Sequence, residues 1–270
     1  MHPAEGLGIL PARARTTRGS AVSGVPVLEP STGGLAWRFA AALGRGRHPA
    51  IVFAVAFLGG AALLVGCSIG AAFLLTDVVG HAPGIGPANK HVETWLAHHR
   101  TAGRTEASLI GSIMAGGVVL PIVAGLAALV CVIARKWRLA AFAIFSLAVE
   151  SGAYRATTLV FHEHRPRVAR LENLPVNASY PSGHTAASIA VYGGLVLLVT
   201  SRFRRPLVRA IAWPFAIAVP IYVAFSRMYR GMHYPLDATG GALLGIAALC
   251  VIVFACRAAG AADAQRSTSG

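Results

Sequence analysis

The sequence predicts an all-α integral membrane protein, a bundle of six helices that cross the bilayer. Of its 270 residues, 55% are hydrophobic and 13% are charged, whereas a soluble domain carries about 25% charged residues. Its apolar residues gather into six stretches, each suited to a bilayer core that a helix of about 20 residues can cross. These stretches lie at 51–76, 108–134, 139–161, 184–201, 207–228 and 236–256.

The segments outside these stretches divide the chain into three parts. Residues 1–49 are rich in Pro, Gly, Ser, Thr and Arg and lack periodicity, which predicts a disordered basic tail on the cytoplasmic side. Residues 50–257 form the expected membrane domain. Residues 258–270 form a second tail, also expected to be disordered and cytoplasmic.

Basic residues predict the orientation of the spans. The net charge is +14, and much of it lies in the N-terminal tail and in the connections that begin near Arg135 and Arg202. With six spans, all three segments share one side, which the positive-inside rule assigns to the cytoplasm. This pattern favours the lipid bilayer and phosphorylated lipids as partners and argues against nucleic acid. The Ala-, Gly- and Arg-rich composition is typical of a bacterial chain, so we expect a multi-pass protein of the bacterial plasma membrane.

Three polar clusters interrupt the apolar pattern. They are Arg165-Pro166, then Pro181-Ser182-Gly183-His184, then Ser226-Arg227 followed by His233 and Asp237. The six-span arrangement places all three at the extracytoplasmic face, although they are far apart in sequence. This shared location predicts that they form one site.

The residue types in the clusters suit a phosphoryl group. Phosphoryl transfer spreads negative charge over the equatorial oxygens, which fixed donors must surround. Arg165 and Arg227 present planar guanidinium groups that match phosphate. Ser182 offers a hydroxyl, and Gly183 lets a backbone N–H approach an oxyanion closely. A helix that begins near His184 would add unpaired N–H groups.

The two histidines can supply a nucleophile and a proton donor. His233 and His184 suit these roles because imidazole exchanges protons near neutral pH. Asp237 follows His233 by four residues, so a helical turn can bring its carboxylate to one imidazole nitrogen and leave the other to attack.

Each cluster also has a structural interpretation when taken alone. Arg165 could extend from a helix end towards water, Pro-Ser-Gly-His could form a turn and helix cap, and His233 with Asp237 could be an interfacial hydrogen-bonded pair. Their occurrence together, in this order and on one face, favours the catalytic interpretation.

This series of motifs resembles the type 2 phosphatidic acid phosphatase superfamily over about residues 139–256. The resemblance implies a membrane phosphatase that needs no metal or other cofactor. It implies that His233 is the nucleophile and forms a phosphohistidine, that Asp237 orients it, and that His184 protonates the leaving group. It also implies that the phosphoryl oxygens are bound by the other matched residues, Arg165, Arg227, Ser182 and Gly183.

One position departs from the family pattern. The family has a lysine seven residues before the arginine of Arg-Pro, and here that position is Thr158. Arg155 lies about one helical turn earlier on the same face as Thr158. We therefore predict that Arg155, assisted by Thr158, replaces the missing ammonium group as a phosphate ligand.

The sequence leaves the substrate and the acceptor open. Phosphatidic acid, phosphatidylglycerol phosphate and a polyprenyl pyrophosphate all fit, and an outward-facing site favours the polyprenyl carrier. The same phosphohistidine could pass its phosphate to another molecule in a phosphotransferase. A non-catalytic protein that binds or transports phospholipid is the alternative from another class, and the oligomeric state is left open.

Overall fold

The computed structural model describes residues 25–268 except Arg45 and Arg204, and within them every regular element is helical. This confirms the predicted all-α class. The helices are α1 (Leu35–Ala42), α2 (Pro49–Ala72), α3 (Ile85–His98), α4 (Ala102–Met114), α5 (Val119–Ile133), α6 (Trp137–Val160), α7 (Gly183–Ser188), α8 (Gly194–Arg202), α9 (Pro206–Tyr229) and α10 (Pro235–Ser267). A π-helical segment, Ile189–Gly193, joins α7 to α8.

The six predicted membrane spans are not all confirmed. Among the described residues, four helical segments are long and apolar enough to cross a bilayer, namely Pro49–His81, Gly183–Arg202, Pro206–Tyr229 and Pro235–Ser267. The α4–α5 pair would make a fifth, bent by 42° where Gly116 and Gly117 break the second apolar stretch. All six apolar stretches are helical, but six spans are not confirmed, because α6 also carries Arg138, Glu150 and Arg155.

The expectation of disordered tails is wrong for the residues that the structure describes. A short 3₁₀ helix, Pro26–Leu28, precedes α1, and the Leu28 side chain is fully buried. Arg138 donates to the Leu28 carbonyl oxygen at 2.6 Å, and α1 packs along α10. The last helix continues to Ser267. The remainder of both predicted tails, residues 1–24 and 269–270, lies outside the described residues.

Small residues allow α10 to lie at the centre of the bundle, where it packs against α2, α6 and α7. A Cβ atom at Gly245 would lie 2.6 Å from the Ala186 carbonyl oxygen, a distance that van der Waals contact does not permit. Glycine there therefore lets α7 and α10 approach closely. This contact brings the start of α7, which carries the second motif, beside the start of α10, which carries Asp237.

Candidate active site

The three predicted clusters meet around one cavity of about 330 Å³ at the end of the bundle where α6 and α9 end and α7 and α10 begin. Side chains from each cluster line it, as do residues of α6 and of the turn between α4 and α5. The lining includes Arg165, Gly183, His184, Arg227 and His233.

Two helix ends position the third cluster. At the end of α9, Gly231 has a φ of 71°, which favours glycine. Its N–H donates to the Met228 carbonyl at 2.8 Å, and the Met232 N–H donates to the Arg227 carbonyl at 3.0 Å, as in a Schellman motif. A proline follows at the first position of α10. This tight reversal places His233 beside Arg227.

His233 has the geometry of a neutral nucleophile. Its side chain is almost fully buried, and Nδ1 lies 2.7 Å from the Ser179 carbonyl oxygen. Because a carbonyl can only accept, Nδ1 carries the proton and Nε2 keeps its lone pair. Burial lowers the pKa of His233 well below its ordinary value, and the charges of Arg227 and Arg165 lower it further. The imidazole is therefore neutral at physiological pH.

The predicted contact between Asp237 and the His233 ring is replaced by an indirect one. Asp237 Oδ2 lies 3.9 Å from His233 Nδ1, which is beyond hydrogen-bond distance. It accepts instead from the Ser179 hydroxyl at 2.5 Å and from the Tyr234 backbone N–H at 2.8 Å. Asp237 is thus linked to His233 through Ser179, a residue that sequence reasoning missed because it lies 54 positions from His233 in the chain.

Arg227 lines the cavity and uses only part of its guanidinium for contacts within the described residues. Its side chain is fully buried, and Nη1 donates to Glu172 Oε2 at 2.6 Å and to the Ser112 hydroxyl. Among the described residues, Nε and Nη2 have no hydrogen-bond partner. A buried guanidinium with two unpaired donors is well suited to an oxyanion.

Glu172 is a second residue that sequence reasoning missed. Its carboxylate accepts from Arg227, from Arg230 Nε at 2.5 Å and from Ser112 at 2.7 Å. Burial by itself would raise the pKa of Glu172, but the charge of Arg227 and the hydrogen bonds from its three partners outweigh burial and lower the pKa to about 2. The ionised carboxylate therefore holds Arg227 in position. No motif marks Glu172, since an acidic residue in a polar loop is ordinary.

Arg165 is held by the backbone. Its Nε donates to the Pro175 carbonyl at 2.8 Å and its Nη1 to the Met232 carbonyl at 2.5 Å. The same Nη1 lies 3.5 Å from His233 Nε2, so the guanidinium is beside the nitrogen that would attack.

The second cluster surrounds the start of α7. The Ser182 N–H donates to the Asp237 carbonyl at 2.9 Å, and its hydroxyl lies 2.9 Å from that of Thr185. A Cβ atom at Gly183 would lie 3.0 Å from the ring of Tyr154, so a larger residue there would require the ring to shift. His184 follows and lines the cavity.

The structure does not bring Arg155 and Thr158 to the site. Arg155 is exposed and Thr158 donates to the Arg155 backbone carbonyl at 3.0 Å, and neither lines the cavity. Tyr154 lines it instead, because adjacent residues of a helix point about 100° apart. The predicted replacement of the family lysine by Arg155 is therefore not supported by the geometry.

The fold and the site define a helical membrane protein with a buried, cationic and histidine-containing cavity at one end of its bundle. Residues 138–259 match the family model described as the PAP2 superfamily. This segment contains every predicted site residue, and the match confirms the resemblance drawn from its motifs.

Curated relatives match over part of their length. A segment of 75 residues is 41% identical to an undecaprenyl-diphosphatase of Sulfolobus acidocaldarius, covering 28% of this chain and 32% of that protein. A segment of 93 residues is 36% identical to the undecaprenyl-diphosphatase BcrC of Bacillus subtilis, covering 33% of this chain and 43% of that protein. The chain thus matches less than half the length of either relative.

A solved structure shares the fold over most of the chain. It is the crystal structure of a transmembrane PAP2-type phosphatidylglycerolphosphate phosphatase from Bacillus subtilis, with a TM-score of 0.57. The match covers 76% of this chain and 93% of that one at 18% identity.

We expect that replacing Glu172 with glutamine weakens both the site and the fold. Because its pKa is about 2 in the folded protein and 4.5 in the reference state, the carboxylate stabilises the fold by about 3 kcal/mol above pH 4.5. That contribution is lost as the pH falls from 4.5 through 2. Glu172→Gln should therefore lower the free energy of unfolding in detergent by about 3 kcal/mol at pH 7 but by about 1 kcal/mol at pH 3. An equal difference at both pH values would contradict this role.

Proposed function

We propose that this chain is a membrane phosphatase that hydrolyses a polyprenyl diphosphate through a phosphohistidine intermediate. The observation that carries the proposal is that two groups share one cavity. They are a neutral His233, whose Nε2 is unprotonated, and Arg227, whose Nε and Nη2 have no partner among the described residues. The matched segments of proteins named undecaprenyl-diphosphatase support this substrate over phosphatidic acid or phosphatidylglycerol phosphate.

In the first half of the reaction, His233 Nε2 attacks the outer phosphorus. An N–P bond forms while the bond between this phosphorus and the bridging oxygen breaks. The lipid monophosphate leaves, and His184 supplies a proton to the departing oxygen. Arg165 and Arg227, together with the Ser182 hydroxyl and the Gly183 N–H, stabilise the charge on the transferred phosphoryl group.

In the second half, water attacks the phosphohistidine. His184, now unprotonated, accepts a proton from this water, the N–P bond breaks, and inorganic phosphate leaves. His233 returns to its starting form, with Nδ1–H still donated to the Ser179 carbonyl. Two fixed guanidinium groups neutralise the phosphoryl oxygens, so the proposed reaction needs no metal ion.

The distribution of basic residues supports a site that faces outside the cell. Arg135, Lys136 and Arg138 lie at the end of α6 that is far from the cavity, and Arg202 lies at the far end of α8. Under the positive-inside rule this far end is cytoplasmic. The substrate would then be a lipid of the outer leaflet.

The test is phosphate release by the full chain in detergent, with EDTA present, from undecaprenyl diphosphate, phosphatidic acid and phosphatidylglycerol phosphate. We expect the diphosphate to have the highest kcat/KM and EDTA to have no effect. A higher kcat/KM for either glycerolipid would overturn the proposed substrate. Absence of release from all three lipids by folded protein would favour a phosphotransferase or a non-catalytic lipid-binding protein.

A further inference from the structure

One buried carboxyl group in the cavity has no role in the mechanism above. Glu150, on α6, is 1% exposed and lines the same cavity as His184, Arg227 and His233. Its Oε2 accepts from the Ser151 hydroxyl at 3.0 Å, while Oε1 is buried and has no hydrogen-bond partner among the described residues. The salt bridges found between residues 25 and 268 do not include Glu150.

Glu150 lies deeper in the bundle than the contact between Gly183 and Tyr154. A Cβ atom at Gly183 would lie 3.0 Å from the Tyr154 ring. Glu150 precedes Tyr154 by four residues, which places it about 6 Å further towards the middle of α6. Ala187, about one turn beyond Gly183 on α7, also lines the cavity. A group that extends inwards from a phosphate bound beside Gly183 would therefore pass Glu150.

Apolar side chains line the cavity together with Glu150. They include Leu120, from α5, and Leu147, one turn deeper on α6. A buried polar atom without a partner is unusual in a folded protein and calls for a ligand or another explanation. A buried carboxyl group that is not paired in a salt bridge favours its neutral form, which can donate a hydrogen bond.

The leaving group of a diphosphate offers the matching acceptor. When the bond to the outer phosphorus breaks, negative charge develops on the oxygens of the inner phosphate, which is joined to the lipid. A donor fixed at that point stabilises the transition state more than the bound substrate. A lipid monophosphate places a hydrocarbon or ester segment at that point, so Glu150 stabilises its transition state less.

We propose that Glu150 determines specificity by donating a hydrogen bond from its carboxyl group to the inner phosphate of a lipid diphosphate. The inference rests on the proposed phosphatase function and adds to it a preference for diphosphates over monophosphates. No bond to Glu150 forms or breaks, and it keeps its proton, since the proton for the departing oxygen comes from His184.

The experiment compares kcat/KM for undecaprenyl diphosphate and undecaprenyl monophosphate, which share one lipid chain. Glu150→Leu removes the donor. It should lower the ratio of kcat/KM for the diphosphate to kcat/KM for the monophosphate about tenfold. Glu150→Gln keeps a neutral donor of similar size and should retain a ratio within about threefold of the wild type. Glu106→Leu makes the same chemical change at an exposed position of α4 and should leave the ratio unchanged.

Two results would overturn the inference. The first is an unchanged ratio in folded Glu150→Leu, and an equal loss on both substrates would indicate a structural role. The second is a loss of preference in Glu150→Gln as large as in Glu150→Leu. If Glu150→Leu does not fold, Glu150→Ala provides the same comparison. Failure of wild-type protein to hydrolyse either lipid would instead remove the proposed function, and this inference with it.

Discussion

Replacing His233 with alanine is expected to abolish turnover while the bundle stays folded. The imidazole is the attacking group in the proposed mechanism, and its Nε2 is the ring nitrogen left unprotonated by the Ser179 contact. Loss of a nucleophile in a hydrolase that acts through a covalent intermediate lowers kcat by about 10⁴-fold or more. Phosphate release from the diphosphate should fall to background.

The intermediate provides a more specific measurement. Substrate labelled in the outer phosphate should transfer label to wild-type protein in a single turnover, and the labelled bond should be acid-labile and alkali-stable, as expected of phosphohistidine. His233→Ala should take up no label. His164→Ala is the matched control, because His164 is exposed and does not line the cavity. Labelling of His233→Ala, or turnover close to wild type, would exclude His233 as the nucleophile.

Replacing Arg227 with lysine is expected to lower kcat/KM by about 10²–10³-fold even though the charge is kept. The reason is geometric. Arg227 uses Nη1 to bind Glu172 and Ser112 and leaves Nε and Nη2 for the substrate. A lysine ammonium is one compact group and cannot serve both sets of partners at once.

The same assay distinguishes this role from a general effect of the substitution. Arg167→Lys alters an exposed arginine near the first motif and should keep wild-type activity. Activity of Arg227→Lys within about threefold of the wild type would show that Arg227 acts as a point charge rather than as a bidentate ligand.

The site motifs could be predicted because their chemistry is local. Gly231, Pro235 and Asp237 are residue types that end one helix and begin the next. The reversal that contains His233 is therefore specified by residues close to it in the sequence. The cationic and histidine residues of the motifs were found for the same reason. All four of them line the cavity, namely Arg165, His184, Arg227 and His233. Arg155, the predicted cation outside the motifs, does not.

The prediction for Arg155 failed because of the rotation of one helix. The residues on one face of α6 are readable from the sequence, but which face packs inwards depends on neighbouring helices. Contact between Tyr154 and Gly183 turns Tyr154 and Glu150 towards the cavity and leaves Arg155 outside. Six spans stay unconfirmed for a different reason, since the charged residues of α6 lower the apolar character of the remaining stretch.

The helical class, the apolar stretches and the motif residues could be predicted without coordinates, because composition and short-range spacing express them directly. The groups that orient those residues emerge only from the packing of distant segments. Ser179 holds the His233 ring and Glu172 holds Arg227, while Glu150 lines the cavity with an Oε1 that has no partner in the described part of the chain. Each of these contacts joins segments far apart in the chain or depends on helix rotation, and the packing of α6, α7, α9 and α10 brings them together.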